Sequence, residues 1–183
     1  MKNTLLEYGY TQNQIDQRVN QVFYDIFEGP SRFYFDGLRD TSYFMDTGNI
    51  DARTEGISYA MMMCVQLDKK EYFDRIWKFA VEFMYMEEGP YKGYFAWSVA
   101  PDGKKNAFGP APDGEEFFAM SLFLAGKRWG NGEGIFNYEE QAKQLLHTMI
   151  HKGENGEEGG PMFDRDNHLI KFVVEEDFSD PSY

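Results

Sequence analysis

A chain of 183 residues with 42% hydrophobic and 17% aromatic residues carries enough apolar surface to offset the entropy of ordering, which excludes an intrinsically disordered protein. The formal net charge of -13 and the pI near 4.6 argue against nucleic acid or an anionic membrane as partner, since such partners need clustered Lys and Arg, and favour a neutral or cationic ligand. Cys64, the only cysteine, lies in an apolar run, no stretch approaches the length of a membrane span, and residues 1–7 hold no apolar signal core; a soluble, cytoplasmic protein is expected.

Residues 11–27 place Ile15, Val19, Val22, Phe23, Ile26 and Phe27 at helical spacing, and Thr11 with Gln14 forms a capping box at the start. Gly29 and Pro30 end this helix. Residues 31–54 are expected to form an aromatic loop, with Phe33, Tyr34, Phe35, Tyr43 and Phe44 between turn points at Gly37 and Gly48. Residues 55–67 are apolar on nearly every side, the pattern of a helix buried all round. An amphipathic helix is predicted over 68–86, capped by Asp68 and Glu71, with Phe73, Ile76, Trp77 and Phe83 on its apolar face. After a loop at 89–112, Asp113 is expected to cap a second buried helix running to about Lys127. Asn137 to Glu140 cap a last helix reaching His151. Residues 152–183 read as loop with a strand-like run at 169–174. Asp180, Pro181, Ser182 and Tyr183 then resemble the start of a further buried helix.

The alternation of buried and amphipathic helices predicts an all-α chain of stacked helical hairpins, a single unit over residues 1–183. Every buried helix would run in the same direction, so their N-termini collect at one end of the array. Glu55 and Asp113 both sit at such N-termini, and a carboxylate-lined cleft follows.

Asp51, Arg53 and Glu55 alternate just ahead of the buried run, where a side chain is held rather than freely solvated. A favourable helix-dipole contact would by itself account for Glu55, an ion pair with Asp51 for Arg53, and helix capping for Asp113. The functional alternative makes Glu55 the general acid of an enzyme. A helix N-terminus lowers a carboxyl pKa, so a second carboxylate and burial are needed to keep Glu55 protonated, and Asp113 could supply that while binding substrate. Trp97 and Tyr94, on the loop before the second buried helix, could stack on a sugar ring or plug the core, Trp97 being the preferred platform, and Arg53 could join them as a substrate contact. No cofactor or metal is expected: His147 and His151 lack the glutamate of a zinc motif, and Leu169 stands where the Asp164 segment would need the glycine of a calcium loop.

The run Thr54-Glu55-Gly56-Ile57-Ser58-Tyr59-Ala60, followed by Ala111-Pro112-Asp113-Gly114-Glu115-Glu116-Phe117-Phe118-Ala119-Met120-Ser121-Leu122 and by Trp129, resembles glycoside hydrolase family 8. The resemblance implies an (α/α)6 barrel, inverting hydrolysis of β-1,4 linkages, Glu55 as general acid and Asp113 as a residue holding the sugar at the cleavage site. Pro112 and Glu115 stand where the family commonly has Ser or Thr and Asp, which fits the branch that releases xylose from the reducing end of xylo-oligosaccharides. Endo-xylanase, endo-glucanase or chitosanase specificity, and a non-catalytic carbohydrate-binding helical scaffold, remain open alternatives. Five helices amount to less than half of such a barrel. The general base is therefore expected outside this chain, and the expected partners are a xylo-oligosaccharide and a C-terminal half, present as a second chain or lost as a segment. An isolated half should expose the apolar sides of its end helices.

Overall fold

The computed structural model describes residues 3–174, and the chain divides into two compact units, residues 1–35 and 36–183. In the first unit a short helix α1 (Thr4–Glu7), not anticipated from sequence, is capped by the Asn3 side chain, which accepts from Leu5 N at 3.1 Å. Helix α2 (Gln12–Phe27) begins at the expected capping box: Thr11 Oγ1 accepts from Gln14 N, and Gln14 Oε1 accepts from Thr11 N at 2.9 Å. Phe23 and Phe27 are buried on one side of α2, with ring centroids 4.2 Å apart. Strand β1 (Tyr34–Asp36) contains the boundary between the units.

The second unit corrects the all-α expectation. Strands β2 (Ser42–Asp46), β3 (Asp51–Arg53) and β4 (Ser98–Val99) form antiparallel pairs, with Met45 opposite Ala52, and Ala52 opposite Val99. The stretch expected to be an aromatic loop is thus a hairpin. Its turn is set by Asp46, whose carboxylate accepts from Gly48 N at 2.8 Å and from the Asn49 side chain at 2.8 Å. Aromatic residues at 43 and 44 suit a half-buried pleated surface, and both are buried.

Helix α3 (Thr54–Gln66) follows β3 without a loop, and α4 (Lys70–Phe79) follows α3. The α4 start is not the anticipated box: Lys69 occupies the cap position, and the Asp68 carboxylate instead accepts from Trp129 Nε1 at 2.6 Å. The helix predicted to continue to residue 86 leaves α geometry at Phe79 and finishes as a π-helical turn, Ala80–Met84. Helix α5 (Pro112–Trp129) begins with Pro112, whose missing N–H costs nothing at a first turn, and Ala111 is its cap; Asp113 therefore lies inside the first turn and is not the N-cap. After a 3-10 turn at Gly134–Phe136, α6 (Tyr138–His151) starts where expected, although Asn131 rather than Asn137 supplies a side-chain acceptor, taking Glu139 N at 3.0 Å. Residues 169–174 form no strand; Ile170 makes one isolated bridge with Phe163. The helix start expected at 180–183 lies outside the described residues.

Helix α3 packs between α4 and α5, and α5 packs against α6. Ile57, Met61, Phe73, Ile76, Phe118 and Leu122 are fully buried between these helices. The buried helices are not covered on every side: Tyr59 of α3 and Met120 and Leu124 of α5 are 42%, 53% and 38% exposed. No helix among the described residues is long and apolar enough to cross a membrane.

Candidate active site

Helices α3 and α5 bring their first turns together. Gly114, in the first turn of α5, lies directly against Thr54, the first residue of α3. Glu55 and Asp113 accordingly line one cavity of about 530 Å³, together with Trp97, Pro110 to Pro112, Phe172 and Val173. The side chains that the sequence marks as acid, sugar-holding residue and stacking platform thus meet at a single recess.

Tyr59 joins them. One helical turn after Glu55 on the same face of α3, its hydroxyl donates to Asp113 Oδ2 at 3.3 Å, and its ring meets Phe117 edge-on at 4.9 Å. Burial, then the charge of Asp113 and its hydrogen bond, then the charge of Glu55 push the Tyr59 pKa up, so this hydroxyl keeps its proton beside two carboxylates. Sequence reasoning passed over Tyr59, although its i+4 spacing from Glu55 was available as a signal.

Trp97 is held by its backbone. Its N–H donates to Gly109 O at 3.0 Å, and its carbonyl accepts from Thr54 N at 3.1 Å, satisfying the first amide of α3 in place of a capping side chain. The guanidinium of Arg53 lies 5.2 Å from the Trp97 ring centroid. Arg53 Nε pairs with Asp51 Oδ1 at 3.1 Å and with Asp46 Oδ2 at 3.2 Å, and Asp51, itself buried, accepts from Ser98 Oγ at 2.6 Å. Arg53 thus stands beside the Trp97 ring and is tied to two carboxylates, one of them the Asp51 partner expected for an ion pair. The Asn49 and Gly48 hydrogen bonds, with a smaller contribution from Arg53, hold the Asp46 carboxyl below the usual range.

Tyr94 is not brought to this cavity. It is fully buried, with its hydroxyl 3.2 Å from Thr148 O and 3.1 Å from Gly160 O, and burial raises its pKa. It plugs the core, while Trp97, three residues on, reaches the recess. Glu115 is also fully buried: Oε1 accepts from Phe95 N at 2.7 Å, Oε2 has no hydrogen-bond partner among the described residues, and burial lifts the carboxyl well above its ordinary pKa.

A larger cavity of about 790 Å³ borders Tyr85, Glu87, Glu88, Tyr91, Lys105 and Phe108, and also Glu82 of the π-helical turn, but neither Glu55 nor Asp113 lines it. His147 and His151 lie with ring centroids 4.9 Å apart, and His151 Nδ1 contacts Glu154 at 3.1 Å. Among the described residues no group of three or more His, Cys, Asp or Glu could hold a metal ion.

Residues 40–160 match the family described as glycosyl hydrolases family 8, and the chain belongs to that family. It is 54% identical over 175 residues to a reducing end xylose-releasing exo-oligoxylanase of Bifidobacterium adolescentis, covering 96% of this chain and 46% of that protein. A protein of the same description from Halalkalibacterium halodurans is 54% identical over 185 residues, covering 100% of this chain and 47% of its own length. Among solved structures, a reducing-end-xylose releasing exo-oligoxylanase complexed with xylose superposes with a TM-score of 0.92 at 54% identity, over 99% of this chain and 49% of that one. The chain spans about half the length of the curated relatives it matches.

Proposed function

We propose that this chain carries the general-acid side of an inverting family 8 glycoside hydrolase that acts on β-1,4-xylo-oligosaccharides and releases xylose from the reducing end. In this reading Glu55 gives its proton to the glycosidic oxygen as the bond to the anomeric carbon breaks. Asp113, held by the Tyr59 hydroxyl, fixes the hydroxyls of the sugar at the cleavage site, and Trp97 stacks on a pyranose face with Arg53 beside its ring. Inversion needs a second carboxylate on the far side of the bond, roughly 6.5 to 9.5 Å from the acid, to activate water. That base belongs, on this proposal, to the further half of an (α/α)6 barrel, and the fraction of the relatives' length that the chain spans supports this. A cytoplasmic setting is part of the same reading, since the lone thiol, Cys64, is buried as a reducing compartment permits.

The observation that carries the proposal is the convergence of Glu55, Asp113 and Trp97 on one cavity. Its test is Glu55→Gln in the complete protein, with xylotriose as substrate. Hydrolysis is expected to fall by roughly 10²- to 10⁴-fold, the usual contribution of a general acid, while binding persists. Turnover within a few fold of wild type would remove Glu55 from the role. A wild-type protein that binds xylotriose without ever cleaving it would favour a carbohydrate-binding scaffold.

A further inference from the structure

Glu115 is a costly residue to keep in a core. A leucine or methionine would fill its place on α5 with no polar atom to satisfy, whereas the carboxyl leaves Oε2 without a partner among the described residues. Its other oxygen has a specific task, accepting from the amide of Phe95 at 2.7 Å. Phe95 begins a three-residue segment in which every amide is anchored to a different part of the chain. Ala96 N donates to Met84 O at 2.8 Å, at the end of the π-helical turn, and Trp97 N donates to Gly109 O. The segment then returns a carbonyl, that of Trp97, to the first amide of α3. The Phe95 ring is wedged against Phe118, Trp77 and Tyr85, with centroids 5.0, 5.5 and 5.4 Å away, so the backbone at 95 cannot shift to find another acceptor.

Glu115 is also two residues beyond Asp113 on the same helical turn. One stretch of α5 therefore presents Asp113 to the cavity and reaches inward to hold the segment bearing Trp97, and that segment in turn holds the start of α3, where Glu55 lies. We propose that Glu115 is a positioning residue, locking segment 95–97 so that the Trp97 ring and the first turn of α3 stay in register with Asp113 at the sugar site. It touches no substrate and acts only through the Phe95 amide. The proposal rests on the reading of Trp97 and Asp113 as sugar contacts.

The test uses three substitutions in the complete protein. Glu115→Gln keeps an acceptor oxygen at the same reach, Glu115→Asp withdraws it by one methylene, and Glu115→Met removes it while filling the volume. Hydrogen exchange is read on peptides covering residues 53–56 and 94–98, and KM and kcat are read on xylotriose. The Asp and Met substitutions are expected to speed exchange at least tenfold in both peptides, to raise KM at least fivefold and, because Glu55 lies in the loosened turn, to lower kcat/KM at least tenfold. The Gln substitution is expected to stay within twofold of wild type on every reading. Should the Met variant not fold, the contrast between Asp and Gln decides alone. The proposal is overturned if Gln behaves like Asp, or if Asp leaves both exchange and KM at wild-type values. A wild-type protein that neither binds nor cleaves xylotriose would defeat the functional reading, and the exchange at 53–56 and 94–98 would then decide the role of Glu115 by itself.

Discussion

A Cβ on Gly114 would fall 2.5 Å from the Cβ of Thr54 and 3.1 Å from its carbonyl carbon, so the first turns of α5 and α3 touch at the one residue type that permits it. Thr54 is fully buried, and its amide is tied to Trp97 O, so it has no room to retreat. Gly114→Ala is expected to push the two helix starts apart, destabilising by about 1–3 kcal/mol as overpacked cores do. Because Asp113 and Glu55 flank the contact, kcat/KM on xylo-oligosaccharides should fall at least tenfold in the complete protein. Urea unfolding and steady-state kinetics check the two parts, and an unchanged midpoint would show that the contact yields freely.

Tyr59→Phe removes one donor and keeps the ring against Phe117. The bond to Asp113 is long and the tyrosine is 42% exposed, so its loss should be worth about 0.5–1 kcal/mol, or two- to fivefold in xylotriose affinity. Stability should barely move. A loss beyond about a hundredfold in kcat would mean that the hydroxyl takes part in proton transfer.

The helices were legible because their signals are local. The capping box at Thr11 and Gln14 and the apolar run after Glu55 need no knowledge of the rest of the fold. The strands were hidden because aromatic density at Tyr43 and Phe44 fits a loop as well as a strand, while the hairpin depends on the Asp46 turn and β3 finds its second neighbour in β4, about fifty residues further on. For the same reason the preference for Trp97 over Tyr94 had no local signal to rest on. Which of them faces the recess depends on where Gly109, Thr148 and Gly160 lie, all of them contacts across the fold. Asp113 was legible as a residue of a helix start, but Pro112 took the first helical position and moved the cap to Ala111.

Glu115 makes stability depend on pH in a direction opposite to most acids. Its folded pKa is raised well above the ordinary 4.5 by burial, so the folded chain holds a proton that the unfolded chain releases. Its contribution is fully present below about pH 4.5 and is lost as pH rises toward the folded value. The nearby titratable groups Tyr85 and Tyr94 have raised pKa values and stay neutral through this window. Unfolding free energies of wild type and Glu115→Gln, compared from pH 4 to 9, should diverge in favour of Gln as pH increases. A difference that is flat with pH would mean that Glu115 is charged in the folded state.

Cys64 is fully buried in α3, and burial raises its thiol pKa far above the ordinary value. The thiolate is the reactive form, so an aromatic disulfide reagent should label the native chain at least a hundredfold more slowly than the urea-unfolded chain. Cys64→Ser, which places a hydroxyl in that setting, should cost about 1–3 kcal/mol, whereas Cys64→Ala should cost less. Labelling of the native chain at the rate of a free thiol would contradict its burial.

Phe117, Met120 and Leu124 recur along one side of α5, and with Tyr59 they leave apolar surface where a buried helix would be covered. If the remaining half of a barrel closes over this stripe, residues 1–183 produced alone should self-associate. Replacing Met120 and Leu124 with Glu should then have opposite effects in the two settings. In the isolated chain the pair should reduce association, measured by sedimentation, by removing exposed apolar area. In the complete protein the same pair would bury two carboxylates against the covering helices and should destabilise by about 3 kcal/mol or more. A monomeric isolated chain that binds little hydrophobic dye, or a complete protein indifferent to the double substitution, would leave this face as open surface and detach it from the barrel interface.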